Sequence, residues 1–188
     1  MKINSNITVR EVKNDDELKE FVMFPHKLYK DSKYWVAPII KEELEVLNKK
    51  INPVFKNADA HYFLAFINGE IVGRIAALIN WVEVNDLKKK KVRFGWFDFV
   101  DNEEVSKSLL NEVIKIGNNN NLEFIEGPVG FSNMDKAGML IKGFEKKNTM
   151  ITLYNHSYYQ DHMIAHGYKK LAEWVEYELK IANYEDSP

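Results

Sequence analysis

The chain has no cysteine. That excludes a thiol nucleophile, a disulfide framework and any zinc site with Cys ligands. It also lacks an excess of either charge: 26 Lys and Arg face 28 Asp and Glu, for a net charge of −2. No global positive field points to nucleic acid. No apolar run approaches the length of a membrane span, so no membrane partner is expected. The opening MKINSNITVREV has no apolar stretch of the kind a signal peptide needs. A cytoplasmic location follows as the default. No internal repeat is visible, and the only low-complexity segment is the run Asn118–Asn121.

At 188 residues, with 45% apolar and 29% charged residues, the chain has ample length for one core and an ordinary globular composition. One domain over 1–181 is expected, with 182–188 as a polar tail or the start of a linker. The segment Val92–Gly117 organises the rest. Its first half is a dense aromatic strand with Phe94, Trp96, Phe97 and Phe99 around Gly95. Its second half is a helix whose Val105, Leu109, Leu110, Val113 and Ile114 share one face. Asp101 and Glu104 between them read as a capping box. A strand running straight into a helix start can present backbone N–H groups to an anion.

Ahead of it, Ile7–Val12 reads as a strand. A helix capped by Asn14 or Asp15 follows, and Pro25 ends or kinks it. A second helix opens on Pro38 and stops at Asn52-Pro53. His61–Ile67 and Glu70–Val82 read as a hairpin about Asn68-Gly69. Lys88–Lys91 reads as a solvated basic loop. Behind it come a helix stop at Gly117, a short strand Leu122–Glu126 and a glycine-bearing loop, Val129–Lys147. Thr149–Tyr154 is a candidate strand, Tyr158–His166 a helix capped by Ser157, and Ala172–Ile181 an alternating strand. The fold class is α+β: a central, mostly antiparallel mixed sheet of six to seven strands flanked by about four helices.

This order of elements resembles the GNAT (acyl-CoA N-acyltransferase) superfamily over Ile7–Ile181. The hairpin FLAFINGEIVGRIAAL and the ending HMIAHGYKK carry the resemblance most clearly. The combination FP…LYKD…YWV…P is similar to a bacterial subgroup in which the chain often runs on into a second half. The resemblance implies a transfer of an acyl (acetyl) group from acetyl-CoA or another acyl-CoA to an amine. It places the donor against Trp96, Phe97, Phe99 and Val100, with Asn102, Ser106 and Asn155 beside it. It also implies a small-molecule amine partner, and a homodimer or a second domain. The family's pyrophosphate turn, [QR]-x-x-G-x-[GA], aligns here on Asp101, Glu104 and Ser106, with Glu103 beside them. Carboxylates thus stand where an anion would bind. The family's acidic Tyr aligns on Met163, with Tyr159 one helical turn away on the same face. A GNAT-like module that has lost CoA binding therefore stands as the alternative.

Asp98 is the candidate base, placed by strand alternation on the face of Phe94 and Trp96. Tyr159 is the candidate acid. The other reading of Asp98 is a salt bridge, and that of Tyr158 and Tyr159 is half-buried packing with wet hydroxyls. His162 and His166 stand four apart, but a metal pair would lack a third ligand beyond His156, and exposed helix histidines are expected instead. Gly127–Gly138, with Ser132 and Asn133, is a functional loop or a turn that needs glycines. The aromatic stretch Phe24–Trp35 either lines an acceptor pocket or packs on the sheet.

Overall fold

The computed structural model describes residues 6–132, 134–149 and 152–177. A five-stranded sheet runs in chain order: β1 (Ile7–Glu11), β2 (Ala58–Ile67), β3 (Glu70–Asn80), β4 (Lys91–Phe99) and β5 (Phe124–Glu126). The first four pair antiparallel, and β5 joins β4 in parallel at Lys91–Arg93 only. The hairpin turn has φ 53 at Asn68 and φ 83 at Gly69, the left-handed pair that Asn-Gly accepts readily.

On one face α4 (Glu103–Asn119) lays Val105, Leu109, Leu110 and Val113 on Phe94, Phe97, Phe99 and Ile75. On the other, α1 (Asp15–Leu28) and α2 (Ile40–Leu47) cover Leu64, Phe66, Ala76 and Leu78 with Phe21, Val22 and Leu47. A short α3 (Trp81–Asn85) links β3 to β4, and α5 (Tyr158–Ala165) follows the long loop after β5.

Several boundaries differ from the sequence expectation, each for a local reason. The strand expected to reach Val82 ends at Asn80, whose side chain caps α3 through the amides of Val82 and Glu83. The cap of α4 is Asn102 and not Asp101, with its Oδ1 accepting from the Glu104 amide at 3.0 Å. Gly117 does not stop α4. It lies against Val92, where a Cβ would come within 2.9 Å of a methyl group, and the helix runs on to Asn119. α2 starts at Ile40, two residues after Pro38. Lys91 leaves the solvated run and is buried between Glu83 and Glu126, beside the Arg93–Glu83 pair.

The sheet has five strands among the described residues, one or two fewer than expected. Thr152 makes only an isolated bridge to Ala137, and residues 172–177 form no strand. Residues 178–181 of that expected strand, the tail 182–188, Met150, Ile151 and Asn133 lie outside the described residues.

Pro25 neither ends nor breaks α1, which continues to Leu28. A proline has no N–H, so the carbonyl of Phe21, four residues back, loses its helical donor. Arg74 of β3 takes that place, with Nη1 donating to Phe21 O at 2.9 Å. The same guanidinium holds Asp98 of β4 at 2.8 Å through Nε and 2.7 Å through Nη2. Both side chains are buried. Replacing Arg74 by Met is expected to cost about 3–5 kcal/mol, since it strands a buried carboxylate. Urea denaturation measures this, and a loss under about 1 kcal/mol would show the pair to be incidental.

Candidate active site

The geometry of β4 turns on a bulge. Arg74 pairs with Asp98 but Ala76 pairs with Gly95, so Trp96 and Phe97 together oppose the single residue Ile75. Trp96 takes φ 45 to allow this. The bulge corrects the expected facing. Phe94, Phe97 and Phe99 all enter the core under α4, whereas Trp96 and Asp98 face α1 and α2. Simple alternation had put Phe94 with Asp98, and the extra residue reverses the count. Trp96 donates from Nε1 to Glu43 of α2 at 2.7 Å.

Asp98 is therefore not a lone carboxylate in a cleft beside β5. Its Oδ2 holds Arg74, and its Oδ1 accepts from the Tyr29 hydroxyl at 2.8 Å. Tyr29, the residue that ends α1, lies 2.9 Å from the hydroxyl of Tyr159 on α5. Tyr159 in turn accepts from the backbone N–H of Phe99 at 3.0 Å. An amide only donates and a carboxylate only accepts, so the two hydroxyl protons have one consistent order. The Phe99 amide donates to Tyr159, Tyr159 to Tyr29, and Tyr29 to Asp98. Burial, followed by the charge of Asp98, holds both tyrosines well above their ordinary pKa. Tyr159 is fully enclosed, with its ring stacked on Phe99 at 4.2 Å, so its hydroxyl is not wet.

Beyond Gly95 the outer edge of β4 has no strand partner among the described residues. It leads directly to the start of α4. Helix α5 covers both. Tyr158 donates to the Phe99 carbonyl at 2.5 Å, so the amide and the carbonyl of Phe99 are both bonded to α5. Ser106, fully buried in the first turns of α4, lies 2.9 Å from His162 Nδ1 and 2.8 Å from His166 Nε2. His162 Nε2 meets Asp101 at 3.1 Å. The expectation of two exposed helix histidines is thus corrected for His162, which is buried. Burial also holds His166 below its ordinary pKa. No group of three His, Asp or Glu among the described residues is arranged to hold a metal ion.

The remaining expected residues divide by place. Phe97 and Phe99 bury their rings, so only their backbone faces the edge. Val100 donates its N–H back to Val72 at 2.9 Å. Asn102 caps α4 and Ser106 joins it to α5. Asn155 is buried and spends its amide on Leu140 and His156. The loop after β5 is pinned rather than open. Arg93 donates to Gly130 O, Asn80 to Phe131 O, and Asp135 accepts from the Ser132 amide.

Tyr29 and Arg74 were not singled out in the sequence. Each lies inside a stretch that carries the resemblance, Tyr29 in LYKD and Arg74 in the hairpin FLAFINGEIVGRIAAL, but they meet Asp98 only once the chain has folded. The bulge had one signal, a lone Gly95 in an aromatic strand. Around Tyr29 the rings of Trp35, Tyr154 and His156 stand at 5.4, 5.6 and 4.9 Å. Trp35 also meets His26 edge-on at 5.1 Å. The stretch Phe24–Trp35 thus lines the Asp98–Tyr29 end of the chain of hydroxyls.

No protein-family model matches the chain. Two curated relatives do. Protein YghO of Escherichia coli K12 is 30% identical over 172 residues, 89% of this chain and 44% of that protein. The bacterial ceramide synthase of Caulobacter vibrioides is 26% identical over 176 residues, 93% of this chain and 46% of that protein. The chain spans less than half the length of either. Among solved structures, a predicted acetyltransferase of Clostridium acetobutylicum holding acetyl-CoA superposes with a TM-score of 0.57 at 13% identity, covering 92% of this chain and 96% of that one. The acetyltransferase AAC(6')-Iy, bound to the bisubstrate analogue CoA-S-monomethyl-acetylneamine, also gives 0.57, at 14% identity over 94% of this chain and 100% of its own. With five strands in this order and α4 rising from the bulged β4, the chain has the fold of the GNAT acetyltransferases.

Proposed function

We propose that this chain is a GNAT-fold unit of an N-acyltransferase, moving an acyl group from acyl-CoA to an amine. The observation that carries the reading is the buried hydroxyl chain from the Phe99 amide through Tyr159 and Tyr29 to Asp98. Acyl transfer to an ammonium forms a C–N bond and breaks a C–S bond. The nitrogen gives up two protons, of which one goes to the departing thiolate and one to solvent. Tyr159 is bonded to the Phe99 amide of β4 and keeps its proton, which it gives to Tyr29 in the structure; as the acid it would turn that proton from Tyr29 to the thiolate. Asp98 and Tyr29 stand at the other end, behind Trp35, Tyr154 and His156. Aromatic faces beside a carboxylate suit an ammonium group. In this reading Tyr159 is the catalytic acid. Asp98, anchored by Arg74, orients Tyr29, and the rings of Trp35, Tyr154 and His156 receive the ammonium.

The relatives and neighbours support the same chemistry. The two solved neighbours hold acetyl-CoA and a CoA-amine bisubstrate analogue. One relative is named a ceramide synthase, and a ceramide is an amide of a long-chain amino alcohol. Long-chain amino alcohols therefore join short amines as the acceptors to try. A second reading, a module without CoA binding, has one observation in its favour: α5 already fills the β4 edge and the start of α4.

The test is release of free thiol from acetyl- and long-chain acyl-CoA in the presence of amines. The chain has no cysteine, so it adds no background to a thiol reagent. Release that needs both substrates is expected, and Tyr159→Phe should lower kcat by about 10²-fold or more with little change in KM. No release with any donor across the amine panel would sink the enzyme reading.

The tyrosines also predict an alkaline signature. Their native pKa values lie above that of an unfolded tyrosine, so their contribution to stability is complete below about pH 10. It is lost as pH rises from there through the raised native values. Chemical denaturation at pH 9 and pH 11 should show a steeper alkaline loss for the native chain than for Tyr29→Phe. Equal slopes would contradict the buried hydroxyl chain.

A further inference from the structure

We propose that His26 is the base of the transfer: its Nε2 receives an N–H of the bound amine and takes the proton that frees the attacking lone pair. Its role as a base rests on the acyltransferase reading; its contact with the amine does not. An alkyl ammonium with a pKa near that of Lys, about 10.4, is neutral in only about one molecule in 10³ at pH 7. An amine held as its ammonium must therefore lose a proton before it can attack. Asp98 is poorly placed to take it. Both of its oxygens already accept, Oδ2 from Arg74 and Oδ1 from Tyr29. Glu43 accepts from Trp96.

His26 lies on α1 three residues before Tyr29, so both side chains share a face of the helix. Trp35 joins them, edge-on to the His26 ring at 5.1 Å and against the Tyr29 ring at 5.4 Å. An ammonium received by Trp35 beside Tyr29 is thus one ring away from His26. The His26 side chain is half-buried with Nε2 turned inward, and that atom has no hydrogen-bond partner among the described residues. Buried polar atoms are nearly always paired, so an unpaired one needs a reason. A bound N–H supplies it.

Two charges reach the ring from the elements packed on α1, Arg74 of β3 and Glu43 of α2. Burial and then Arg74 hold its pKa below the ordinary value, and Glu43 opposes them. The imidazole is therefore mostly neutral at pH 7, with the lone pair on Nε2 and the proton on Nδ1 in this assignment. The ammonium gives one proton to Nε2, and the imidazolium returns a proton to solvent. The amine then forms the C–N bond as the C–S bond breaks. Its second proton replaces, through Tyr29, the one that Tyr159 gives to the thiolate.

Two experiments test this. The first needs no turnover and no variant. Hexylammonium and hexyltrimethylammonium are titrated into the native chain while the imidazole nitrogens of His26 are followed by NMR. Both cations suit the aromatic rings, but only the first has N–H groups. The Nε2 resonance should move with hexylammonium and stay with the quaternary ion. Equal responses, or none to hexylammonium at millimolar concentration, would overturn the contact. The second is the pH profile of kcat with the amine that gives the fastest thiol release. Log kcat should fall with unit slope below a pKa that lies under 6.5. His26→Gln should abolish that limb and lower kcat about 10²-fold at pH 7. KM should change little, since Gln still accepts the N–H but takes no proton. His156→Gln should instead raise KM and keep the limb. A limb that survives in His26→Gln, or that His156→Gln abolishes, would overturn the assignment. No acyl transfer to any amine, with the hexylammonium response intact, would remove the acyltransferase reading and leave the ammonium contact standing.

Discussion

The structure depends on a buried ion pair between neighbouring strands. Arg74 on β3 and Asp98 on β4 stand directly opposite one another. A pair like this contributes little by itself, because the cost of removing both charges from water offsets their attraction. Its value lies in what else the two groups hold. Arg74 reaches α1 through the Phe21 carbonyl that Pro25 leaves without a helical donor. Asp98 reaches the end of α1 through Tyr29, and through Tyr29 it reaches α5. One guanidinium and one carboxylate thus tie two strands and two helices together at the point where β4 bulges. Arg74 also lies over the Phe21 ring at 5.0 Å, which places its charge against an aromatic face.

Much of the fold was legible because its elements are local. The period-2 hairpin, the Asn-Gly turn and the amphipathic stripe of α4 each announce themselves within a dozen residues. Boundaries failed where one side chain had two uses. Asn80 can continue a strand or cap a helix, and it caps. Asp101 can cap a helix or face a histidine, and it faces His162. Of the candidate cluster, Asp98 and Tyr159 were readable as an acidic group on a strand and a phenolic group on a helix. That a tyrosine 69 residues before Asp98 and 130 before Tyr159 joins them was not, since no period or spacing encodes it. The facing of Phe94 against Asp98 was misread for a related reason. A bulge is a pairing event between two strands, and the alternation of one strand does not contain it.

The same view explains why carboxylates stand at the start of α4. Acidic groups there complement the helix dipole, and Glu103 and Glu104 do so in the first turn. Asp101 has a different task, facing the histidine that closes α5 over Ser106. The acidic turn and the closed edge are therefore one feature. The chain meets the polar groups of β4 and α4 with its own side chains, and any donor must compete with them.

The central claim is that an acyl donor lies along β4 and ends at α4. It is tested most directly by titrating acetyl-CoA while following backbone amide resonances. The account predicts saturable shifts confined to the amides of Trp96–Phe99, the first turn of α4 and α5, with the Phe99 amide among the largest. Shifts elsewhere, or none at millimolar acetyl-CoA, would contradict it.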